Sequence, residues 1–544
     1  MSRHIETITA DVIVLGGGAA GLRASIEARK RGADVILVSR SRVGYGNNSA
    51  ISWAEFAAAA GLSDDRDSPE VYFNDTLAAG GNINERNLVR VLTEGSGQQV
   101  RDLAEFGVKY RTQHDRTWIA HHPGHSYPRT VSVEGQLGIG FSVPMSEYAR
   151  KTGVRFMEDV LITRLLKKGG AVLGAFGLGK DRDYVLNAAS TVLGTGGAGQ
   201  IFLRTSNAAE ATGDGYALAY QAGVPLRDME FVQCFPTTSG SRGQTIVDFE
   251  KIVPVGGVTV RNRLGEDILA KHGVADPLRL TRDRLTRAIM SEIIAGRDID
   301  GMALIDLHDA SPEDFEKLRF SLPSRYPPER RAILVAPAVH FFMGGLVINE
   351  RAETSLSGLY AAGEVCGGLH GANRLAANAL AECFVFGTIA GSEAARKAVG
   401  RKADIPDPAE IRAEAERLEQ LAARRGDSGV KELVEWLRKT MWLNGGPVRH
   451  EVGLNTALRD IQAIRERLPF VTTGSHNELC RRIRLENMLI VAEIICRSAR
   501  LRTESRGGHY RTDFPEQKDE WLGSVTVLKG KGEPELAVVP CRQV

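Results

Sequence analysis

A glycine-rich segment near the start of the chain has the residue types and spacing to bind a pyrophosphate. Residues 16–21 read Gly-Gly-Gly-Ala-Ala-Gly and fit the pattern G-x-G-x-x-G. Glycines let a backbone approach phosphate groups closely, and a helix that begins at the motif would direct the positive end of its dipole at their charge. The segment therefore predicts that the chain binds a dinucleotide.

The residues around this motif predict the elements that the motif requires. Residues 12–15 are an apolar run typical of a buried parallel strand, residues 21–31 have helical composition, and residues 35–38 predict a second strand. Ser39 and Arg40 follow the second strand, where NAD-binding folds often carry an acidic residue. The motif by itself therefore does not favour NAD.

Composition excludes several classes of protein. The 544 residues are 43% hydrophobic and 25% charged, which is typical of a soluble globular protein with several domains. A net charge of +2 argues against a nucleic-acid partner. The six cysteines form no C-x-x-C pair, so we expect no metal site and no disulfide framework. The polar N-terminus and the absence of a long apolar run favour a cytoplasmic protein without direct membrane insertion.

Alternating helical and strand patterns predict an α/β fold whose first domain is discontinuous. We expect the first part of a Rossmann-like domain at residues 1–239 and its second part at residues 341–400. Residues 240–340 have more charge and fewer apolar runs, and they predict an inserted, mobile α+β domain. Helical periodicity predicts a C-terminal helical bundle at residues 405–515, followed by a tail at residues 516–544.

Five further segments resemble the succinate dehydrogenase and fumarate reductase flavoprotein family, which includes L-aspartate oxidase. They are ATGDG (211–215), HFFMGG (340–345), GLYAAGE (358–364), HGANRL followed by NAL (370–380), and ESRGGHYRTD (504–513). Their order and spacing are similar to the family from about residue 10 to residue 515. The resemblance implies an FAD cofactor, an inserted domain that caps the site, and a C-terminal helical domain. The run at residues 373–382 is most similar to aspartate oxidase.

The motif and the resemblance together assign the cofactor-binding residues. In the family, the glutamate that matches Glu364 binds the adenosine ribose. Residues 376–380 would open a helix whose N-terminus faces the flavin pyrimidine ring and stabilises its anionic reduced form. The expected cofactor-binding residues are Gly16, Gly18, Ala19, Ala20, Gly21, Ser39, Arg40, Asn47, Asn48, Ser49, Thr195, Gly196, Gly197, Asp214, Gly363, Glu364, Asn378, Ala379 and Leu380. Many family members attach FAD through a histidine after the second strand; the matching residues 44–50 contain none, which predicts noncovalent FAD.

The resemblance also implies the chemistry and the residues that perform it. In the family, a hydride passes between flavin N5 and one substrate carbon, and an arginine exchanges a proton with the neighbouring carbon. The matching catalytic residues are Arg282 and the glutamate of its proton relay, Glu250. His340 and Arg374 match the pair that holds one carboxylate of a small carboxylic acid substrate.

The other end of the predicted site departs from the family. The family's Gln-Phe-His-Pro-Thr reads QCFPT at residues 233–237, so Phe235 replaces a histidine that binds the second carboxylate. Phe249 replaces a threonine ligand, and Val253 replaces an arginine of the proton relay. A carboxylate facing such side chains would be desolvated without partners, at a cost of several kcal/mol. We therefore expect a substrate with one carboxylate and an apolar far end near Phe235 and Phe249, converted to or from its α,β-unsaturated form.

Other functions stay open at this point. An aspartate oxidase is favoured by residues 373–382 and opposed by Phe235. An adenylylsulfate-reductase-like subunit would also use noncovalent FAD and would need an iron–sulfur partner. A noncatalytic flavin-binding module is opposed by the joint presence of Arg282, His340 and Arg374. The electron acceptor could be oxygen, a quinone, a carrier protein or a separate iron–sulfur protein, and the oligomeric state is open.

Overall fold

The structure of the chain is a computed structural model that describes residues 3–135, 137–274, 280–318, 322, 331–401, 403–426 and 429–540. The strands within these residues are β1 (Ile5–Leu15), β2 (Val35–Val38), β3 (Glu55–Ala57), β4 (Thr112–Gln113), β5 (Arg116–Thr117), β6 (Ile119–Ala120), β7 (Thr130–Ser132), β8 (Arg155–Met157), β9 (Leu161–Lys168), β10 (Ala171–Leu178), β11 (Asp183–Leu193), β12 (Leu226–Arg227), β13 (Val232–Ser239), β14 (Thr245–Ile246), β15 (Thr259–Arg261), β16 (Ala303–Asp306), β17 (Ala332–Phe342), β18 (Gly345–Leu346), β19 (Leu359–Ala361), β20 (Gly523–Leu528) and β21 (Glu535–Pro540). The α-helices are α1 (Ala19–Lys30), α2 (Asn48–Ile51), α3 (Pro69–Ala79), α4 (Arg86–Glu105), α5 (Ile139–Lys151), α6 (Asp214–Ala222), α7 (Phe249–Ile252), α8 (Ile268–Lys271), α9 (Arg282–Ile294), α10 (Pro312–Leu318), α11 (Asn378–Ala398), α12 (Pro408–Ala422), α13 (Val430–Asn444), α14 (Glu451–Arg467) and α15 (His476–Leu501).

A seven-stranded sheet is the frame of the N-terminal region. Strands β8, β2, β1 and β11 lie side by side in parallel, and β10 and β9 extend the sheet antiparallel beyond β11. β11 is long enough to pair with β10 through its first half and with β19 through its last three residues. The strand predicted at residues 12–15 is confirmed and begins earlier, at Ile5. The α/β class predicted from the sequence is confirmed.

Helix α11 lies directly against α1 because small residues allow their backbones to approach. A Cβ at Gly391 would lie 2.2 Å from the carbonyl oxygen of Ala24, and a Cβ at Gly387 would lie 2.9 Å from that of Ala20. Any larger side chain at Gly391 would force the helices apart. This contact fixes the N-terminus of α11 relative to the glycine-rich turn that precedes α1.

A second sheet builds the inserted region, which we call the capping domain. Its strands run in the order β14-β13-β17-β16-β15, and helices α7, α8 and α9 pack on it around their own hydrophobic core. The long strands β13 and β17 pair with each other and lead from the first domain into the insertion. Part of the insertion, residues 275–279, 319–321 and 323–330, lies outside the described residues, so its predicted boundaries stay predictions.

The C-terminal helices dock through buried ion pairs. Helices α13, α14 and α15 pack together, as the helical periodicity predicts. The motif at residues 504–513 is buried beneath them, where Arg502 pairs with Glu230 at 2.6 Å and with Glu504 at 3.0 Å. Strand β20 of the tail pairs with β12. Within the described part of the chain, no helix is long and apolar enough to cross a membrane, and no cluster of side chains could hold a metal ion.

Candidate active site

A groove crosses the carboxyl ends of β1 and β11, next to the glycine-rich motif. Its lining includes residues 15–20, residues 38–41, residues 47–49 and residues 194–197. Helix α1 begins at this groove without a capping side chain on Gly18 and without an acidic residue in its first turn. A helix N-terminus of this kind binds anions through its free N–H groups, so the groove fits a pyrophosphate.

The glycines of the motif differ in what they do. A Cβ at Gly16 would lie 2.2 Å from the carbonyl oxygen of Gly194, and Gly16 has a φ of 119°, so only glycine fits there. A Cβ at Gly21 would lie 1.8 Å from the carbonyl oxygen of Gly16. The close approach at Gly21 lets α1 pack on the turn. Gly21 is not among the residues that line the groove, and its assignment as a cofactor contact stays a prediction.

One end of the groove carries paired charges. Arg40 donates to Asp214 Oδ2 at 2.8 Å and pairs with Glu210, and Asn487 donates to Asp214 Oδ1 at 2.9 Å. Since its guanidinium is already neutralised, Arg40 is poorly placed to hold an additional phosphate such as the 2′-phosphate of NADP. Glu210 supplies a carboxylate at the place where the sequence has no acidic residue after the second strand. No sequence motif predicts that Glu210 lies there.

Most predicted cofactor residues meet at this groove. Those that line it are Gly16, Gly18, Ala19, Ala20, Ser39, Arg40, Asn47, Asn48, Ser49, Thr195, Gly196, Gly197, Asp214 and Glu364. Ala379 and Leu380 line the pocket that continues from it. Gly363 lines neither, because it packs against Ala20 and Cys383. The Asn378 side chain accepts from Tyr72 Oη at 2.8 Å and donates to Thr76 Oγ1 at 3.3 Å, so it anchors α11 to α3, and its assignment as a cofactor contact stays a prediction.

Glu364 lies at the junction of the groove and the pocket, together with Asn48, Ser49 and Cys383. Its Oε1 accepts from the backbone N–H of Phe342 at 3.1 Å, and burial raises the pKa of its carboxyl to about 7. Glu364 therefore lies where the groove meets the pocket, and its predicted contact with the adenosine ribose stays a prediction.

The N-terminus of α11 forms the floor of the pocket. Ala376, Ala377, Ala379 and Leu380 line the pocket, and no side chain caps the helix. Ala377 has a φ of 62°, a left-handed conformation that non-glycine residues adopt at a cost of about 1–3 kcal/mol and that is concentrated at functional sites. The positive helix end would favour negative charge on a flavin ring above it, as the sequence predicts.

Arg374 provides an unsatisfied anion-binding group in the pocket. Its Nη2 donates to Gln233 Oε1 at 2.9 Å, and Arg282 Nη1 donates to the same oxygen at 3.4 Å. Arg374 is 6% exposed, and its buried Nε has no hydrogen-bond partner among the described residues. Burial and the charge of Arg282 lower the pKa of Arg374 to about 9. A buried cation with a free donor calls for a negatively charged ligand.

His340 is a neutral donor at the same end. Its Nδ1 is 2.8 Å from Ser206 Oγ. Burial, together with the charges of Arg374 and Arg282, holds the pKa of the His340 imidazole well below its usual value. If the Ser206 hydroxyl donates to Nδ1, the proton of the neutral ring lies on Nε2 and is free to donate to a ligand oxygen. Arg374 and His340 can therefore bind one carboxylate jointly.

Arg282 and Glu250 form a close ion pair across the pocket wall. Arg282 is the first residue of α9, and its Nε and Nη2 each lie 3.1 Å from Glu250 Oε1. Burial raises the pKa of Glu250, but the charge of Arg282 and a hydrogen bond from His122 outweigh it and lower that pKa to about 2. Asp283 pairs with Arg287 at 2.7 Å rather than with Arg282. The predicted catalytic pair is therefore assembled.

One wall of the pocket, next to His340, is apolar. Phe235 lies at its centre, with ring centres 5.9 Å from Trp53, 5.8 Å from Phe249 and 5.5 Å from His340. Arg282 places its guanidinium carbon 5.0 Å from the centre of the Phe235 ring. Phe249 is not among the residues that line the pocket; it stands behind Phe235 in the core of the capping domain, and its predicted contact with substrate stays a prediction.

Sequence reasoning missed several lining residues. Trp53, Glu55 and His122 come from segments between β2 and β7, and Ser206 comes from a loop after β11. Ile246 comes from β14. None of these residues belongs to a motif, so only the fold brings them to the site. Gln233 belongs to the segment that resembles the family's Gln-Phe-His-Pro-Thr. The spacing of residues does not predict that its Oε1 accepts hydrogen bonds from both Arg282 and Arg374.

Comparison with known families decides what binds in the groove. The FAD binding domain family matches residues 11–380, and the family of the fumarate reductase flavoprotein C-terminal region matches residues 434–543. The chain belongs to the succinate dehydrogenase and fumarate reductase flavoprotein family. It is an FAD-dependent oxidoreductase, and FAD is its cofactor. The resemblance found in the sequence is confirmed.

The flavoprotein is similar to relatives over nearly its whole length. It is 35% identical to a fumarate reductase (CoM/CoB) subunit of Methanothermobacter marburgensis, over 97% of this chain and 99% of that one. It is 33% identical to an L-aspartate oxidase of Caulobacter vibrioides, over 96% and 97% of the chains. A solved structure of E. coli quinol fumarate reductase superposes with a TM-score of 0.89 at 27% identity, covering 99% of this chain and 98% of that one.

The flavoprotein is expected to release its FAD without breaking a covalent bond. No histidine is present among the described residues that line the groove, or in residues 44–50. After the purified protein is precipitated with acid and removed by centrifugation, all of the yellow flavin should be in the supernatant. Yellow colour that stays on the washed pellet would contradict this prediction.

Proposed function

We propose that this flavoprotein interconverts a saturated monocarboxylic acid and its α,β-unsaturated form. The observation that carries the proposal is the contrast within the lining of the pocket. Arg374 and His340 offer donors for a carboxylate, whereas Phe235, which packs against His340, and Trp53 form an apolar wall. When bound, FAD supplies or takes up the hydride of the reaction.

The carboxylate-binding end supports an anionic substrate on electrostatic grounds. Gln233 accepts from both arginines, so it holds two guanidinium groups close together without neutralising either. A carboxylate beside Arg374 would satisfy its free Nε and offset the repulsion between the two cations. It would also fix the carbon chain of the substrate next to Arg282, which is the geometry that proton transfer at the neighbouring carbon requires.

Arg282 would exchange the proton. Its side chain is 13% exposed, and Glu250 and the face of Phe235 hold it in place. An arginine normally stays protonated, so such a role needs an acidic partner that returns the proton at once. The ionised Glu250 carboxylate, bonded to both Nε and Nη2, is such a partner.

The apolar end supports a substrate with one carboxylate. Phe235 is 1% exposed. The Trp53 ring packs against its edge, and Phe249 and Val253 belong with it to the core of the capping domain. A second carboxylate directed at Phe235 would lose its water and gain no hydrogen bond from that ring, which costs several kcal/mol. A hydrocarbon end would instead bury apolar surface there, at about 25 cal/mol per Å².

A dicarboxylate is the second candidate substrate, because relatives at 33–35% identity are named fumarate reductase and L-aspartate oxidase. The run at residues 373–382 favours the aspartate oxidase alternative, and Phe235 opposes both. The relative from Methanothermobacter is named as one subunit of its enzyme, which supports a separate electron-transfer subunit for this chain too. An iron–sulfur protein is the partner we favour for that role, since the described residues hold no metal cluster themselves.

Replacing Arg374 by glutamine is expected to weaken binding of the saturated acid by about 10–100-fold, since a hydrogen bond to a charged group is worth about 1.5–3 kcal/mol. The change in the visible spectrum of the oxidised flavin during a titration with butyrate-type acids measures the dissociation constant. Arg284→Gln is the matched control, because Arg284 is exposed on α9. Equal affinity of the Arg374 variant and the control would refute the assignment of the carboxylate site.

A further inference from the structure

We propose that His122 completes the proton relay of this active site, in the place of the arginine that Val253 replaces. The proposal rests on the proposed function in one respect, since it takes Arg282 as the group that exchanges a proton with substrate. It adds a residue from a different part of the fold to the pair formed by Arg282 and Glu250. His122 acts through Glu250 and is a relay residue rather than a substrate ligand.

The geometry is a continuous row of four side chains. Arg282 holds Glu250 Oε1, and His122 Nδ1 lies 3.4 Å from the other oxygen, Oε2. On its opposite edge, His122 Nε2 lies 3.0 Å from Glu55 Oε2. Each oxygen of the Glu250 carboxylate therefore faces one protonated group. A carboxylate held between these two groups can pass a proton from a protonated imidazole to the arginine side chain once the arginine has given up its own proton.

Val253 cannot take part in such a relay. It is 3% exposed and packs in the core of the capping domain, and its side chain has no group that carries a proton. His122 reaches Glu250 from the segment between β6 and β7, a different part of the chain. A titratable group from another element thus faces the second oxygen of the Glu250 carboxylate.

The surroundings of His122 keep it charged. Burial lowers the pKa of His122, but its hydrogen bonds to Glu250 and Glu55 outweigh burial and raise that pKa to about 9. The charged or titratable groups around it are Glu55 on β3, Glu250 on α7, Asp248 at the N-cap of α7 and His125 in its own loop, with Lys251 and Arg282 next to these carboxylates. His125 has its pKa lowered to about 3 by burial, so it is neutral and adds no positive charge.

The proton balance of the step is simple. When Arg282 gives its proton to the substrate carbon, the charge that holds the Glu250 pKa low disappears. The Nδ1 proton of His122 can then pass through Glu250 to Arg282, which restores the guanidinium. His122 is left neutral, with its Nε2 proton directed at Glu55, and takes one proton from water before the next turnover. One proton is consumed for each double bond reduced, and the relay itself carries no electrons.

The relay also crosses from the capping domain to the FAD-binding part of the chain. Glu250 and Arg282 belong to α7 and α9 of the capping domain, whereas Glu55 and His122 belong to β3 and to the β6–β7 segment. Strands β3, β7 and β6 form a small sheet of their own. The proton path is therefore complete only when the capping domain lies against the site, which couples proton delivery to a closed pocket.

The test is His122→Gln in the full-length holoenzyme, with reduced methyl viologen as electron donor and an enoic acid or fumarate as acceptor, whichever turns over. In His122→Gln, kcat for reduction of the acid is expected to fall by about 100-fold, with little change in the KM for that acid. The kcat of the wild-type enzyme for reduction should be constant below pH 9 and fall above it. The fall above pH 9 should be absent in His122→Gln. His121→Gln is the control, because His121 is an exposed residue of the same segment. Added imidazole should restore part of the activity of His122→Ala.

Two further results separate this proposal from the proposed function. If the enzyme reduces fumarate but no monocarboxylic enoic acid, the monocarboxylate assignment is wrong, but the His122 variants can still be tested with fumarate as the acceptor. A second measurement does not depend on turnover: the ¹⁵N signals of labelled histidine, with the His122 signal assigned by comparison with His122→Gln. These signals should show that His122 titrates near pH 9 in the wild-type protein and at a lower pH in Glu250→Gln. A His122 that titrates at its ordinary value near 6.5, or a variant with wild-type kcat and pH profile, would overturn the relay.

Discussion

Arg282→Gln is expected to lower kcat for reduction of the enoic acid by about 10⁴-fold, the upper end of what a positioned proton donor contributes. The substitution removes the group that Glu250 and the Phe235 ring hold beside the pocket, and glutamine cannot protonate a carbon. It should leave the FAD content of the purified protein unchanged, since Arg282 does not line the cofactor groove. Steady-state reduction with a viologen donor measures the loss.

The control for this variant is Arg284→Gln, an exposed position on the same helix, which should keep wild-type activity. Reoxidation of the reduced flavin by ferricyanide needs no proton transfer to carbon and should be equally fast in both variants. A loss of less than tenfold in Arg282→Gln would show that the proton comes from another group.

Phe235→His is expected to raise the ratio of kcat/KM for fumarate over that for a monocarboxylic enoic acid by about 10²–10³-fold. The new imidazole would offer a hydrogen bond to a second carboxylate and remove a penalty of about 3–4 kcal/mol, and each 1.4 kcal/mol is a factor of ten. Phe235 lies 5.5 Å from His340 and beside Arg282, so the new ring would face the bound acid. Steady-state rates with both acids give the ratio.

Phe235→Leu is the matched control for the change in specificity. It alters the shape of the wall and removes the ring beneath Arg282, but it keeps the wall apolar. The preference for a monocarboxylic acid should survive in this variant, whereas overall activity should fall modestly. If the leucine and histidine variants shift the ratio equally, shape rather than hydrogen bonding sets the specificity.

The sequence predicts those parts of the site that depend on local patterns. The glycine motif, its two strands and its helix follow from steric rules and from the period of apolar residues. His340 and Arg374 stand in ordered motifs, Arg282 and Glu250 were matched by resemblance to the family, and the structure brings all four together. Their proximity depends on a fold that the chain shares with a known family, and their roles in catalysis and substrate binding stay predictions.

The remaining features depend on contacts between distant segments. His122 and Trp53 reach the pocket from loops without a motif, and the charge of His122 comes from Glu55 and Glu250, which are far from it in the sequence. Alignment with the family could not show that Phe249 stands behind Phe235 in the core of the capping domain. Such facts are set by side-chain packing across the domain boundary, which residue types and spacing alone do not determine.

The central claim is that the pocket accepts one carboxylate and an apolar end, and a single-turnover measurement tests it most directly. The bound flavin is reduced without oxygen and mixed with fumarate, with an aliphatic enoic acid such as crotonate, or with a cinnamate-type acid, while its reoxidation is followed by absorbance. We predict reoxidation by the monocarboxylic acids at a rate at least about 100-fold above that with fumarate, in line with the cost of an unpartnered carboxylate. Fast reoxidation by fumarate with slow reoxidation by the monocarboxylic acids would contradict the account.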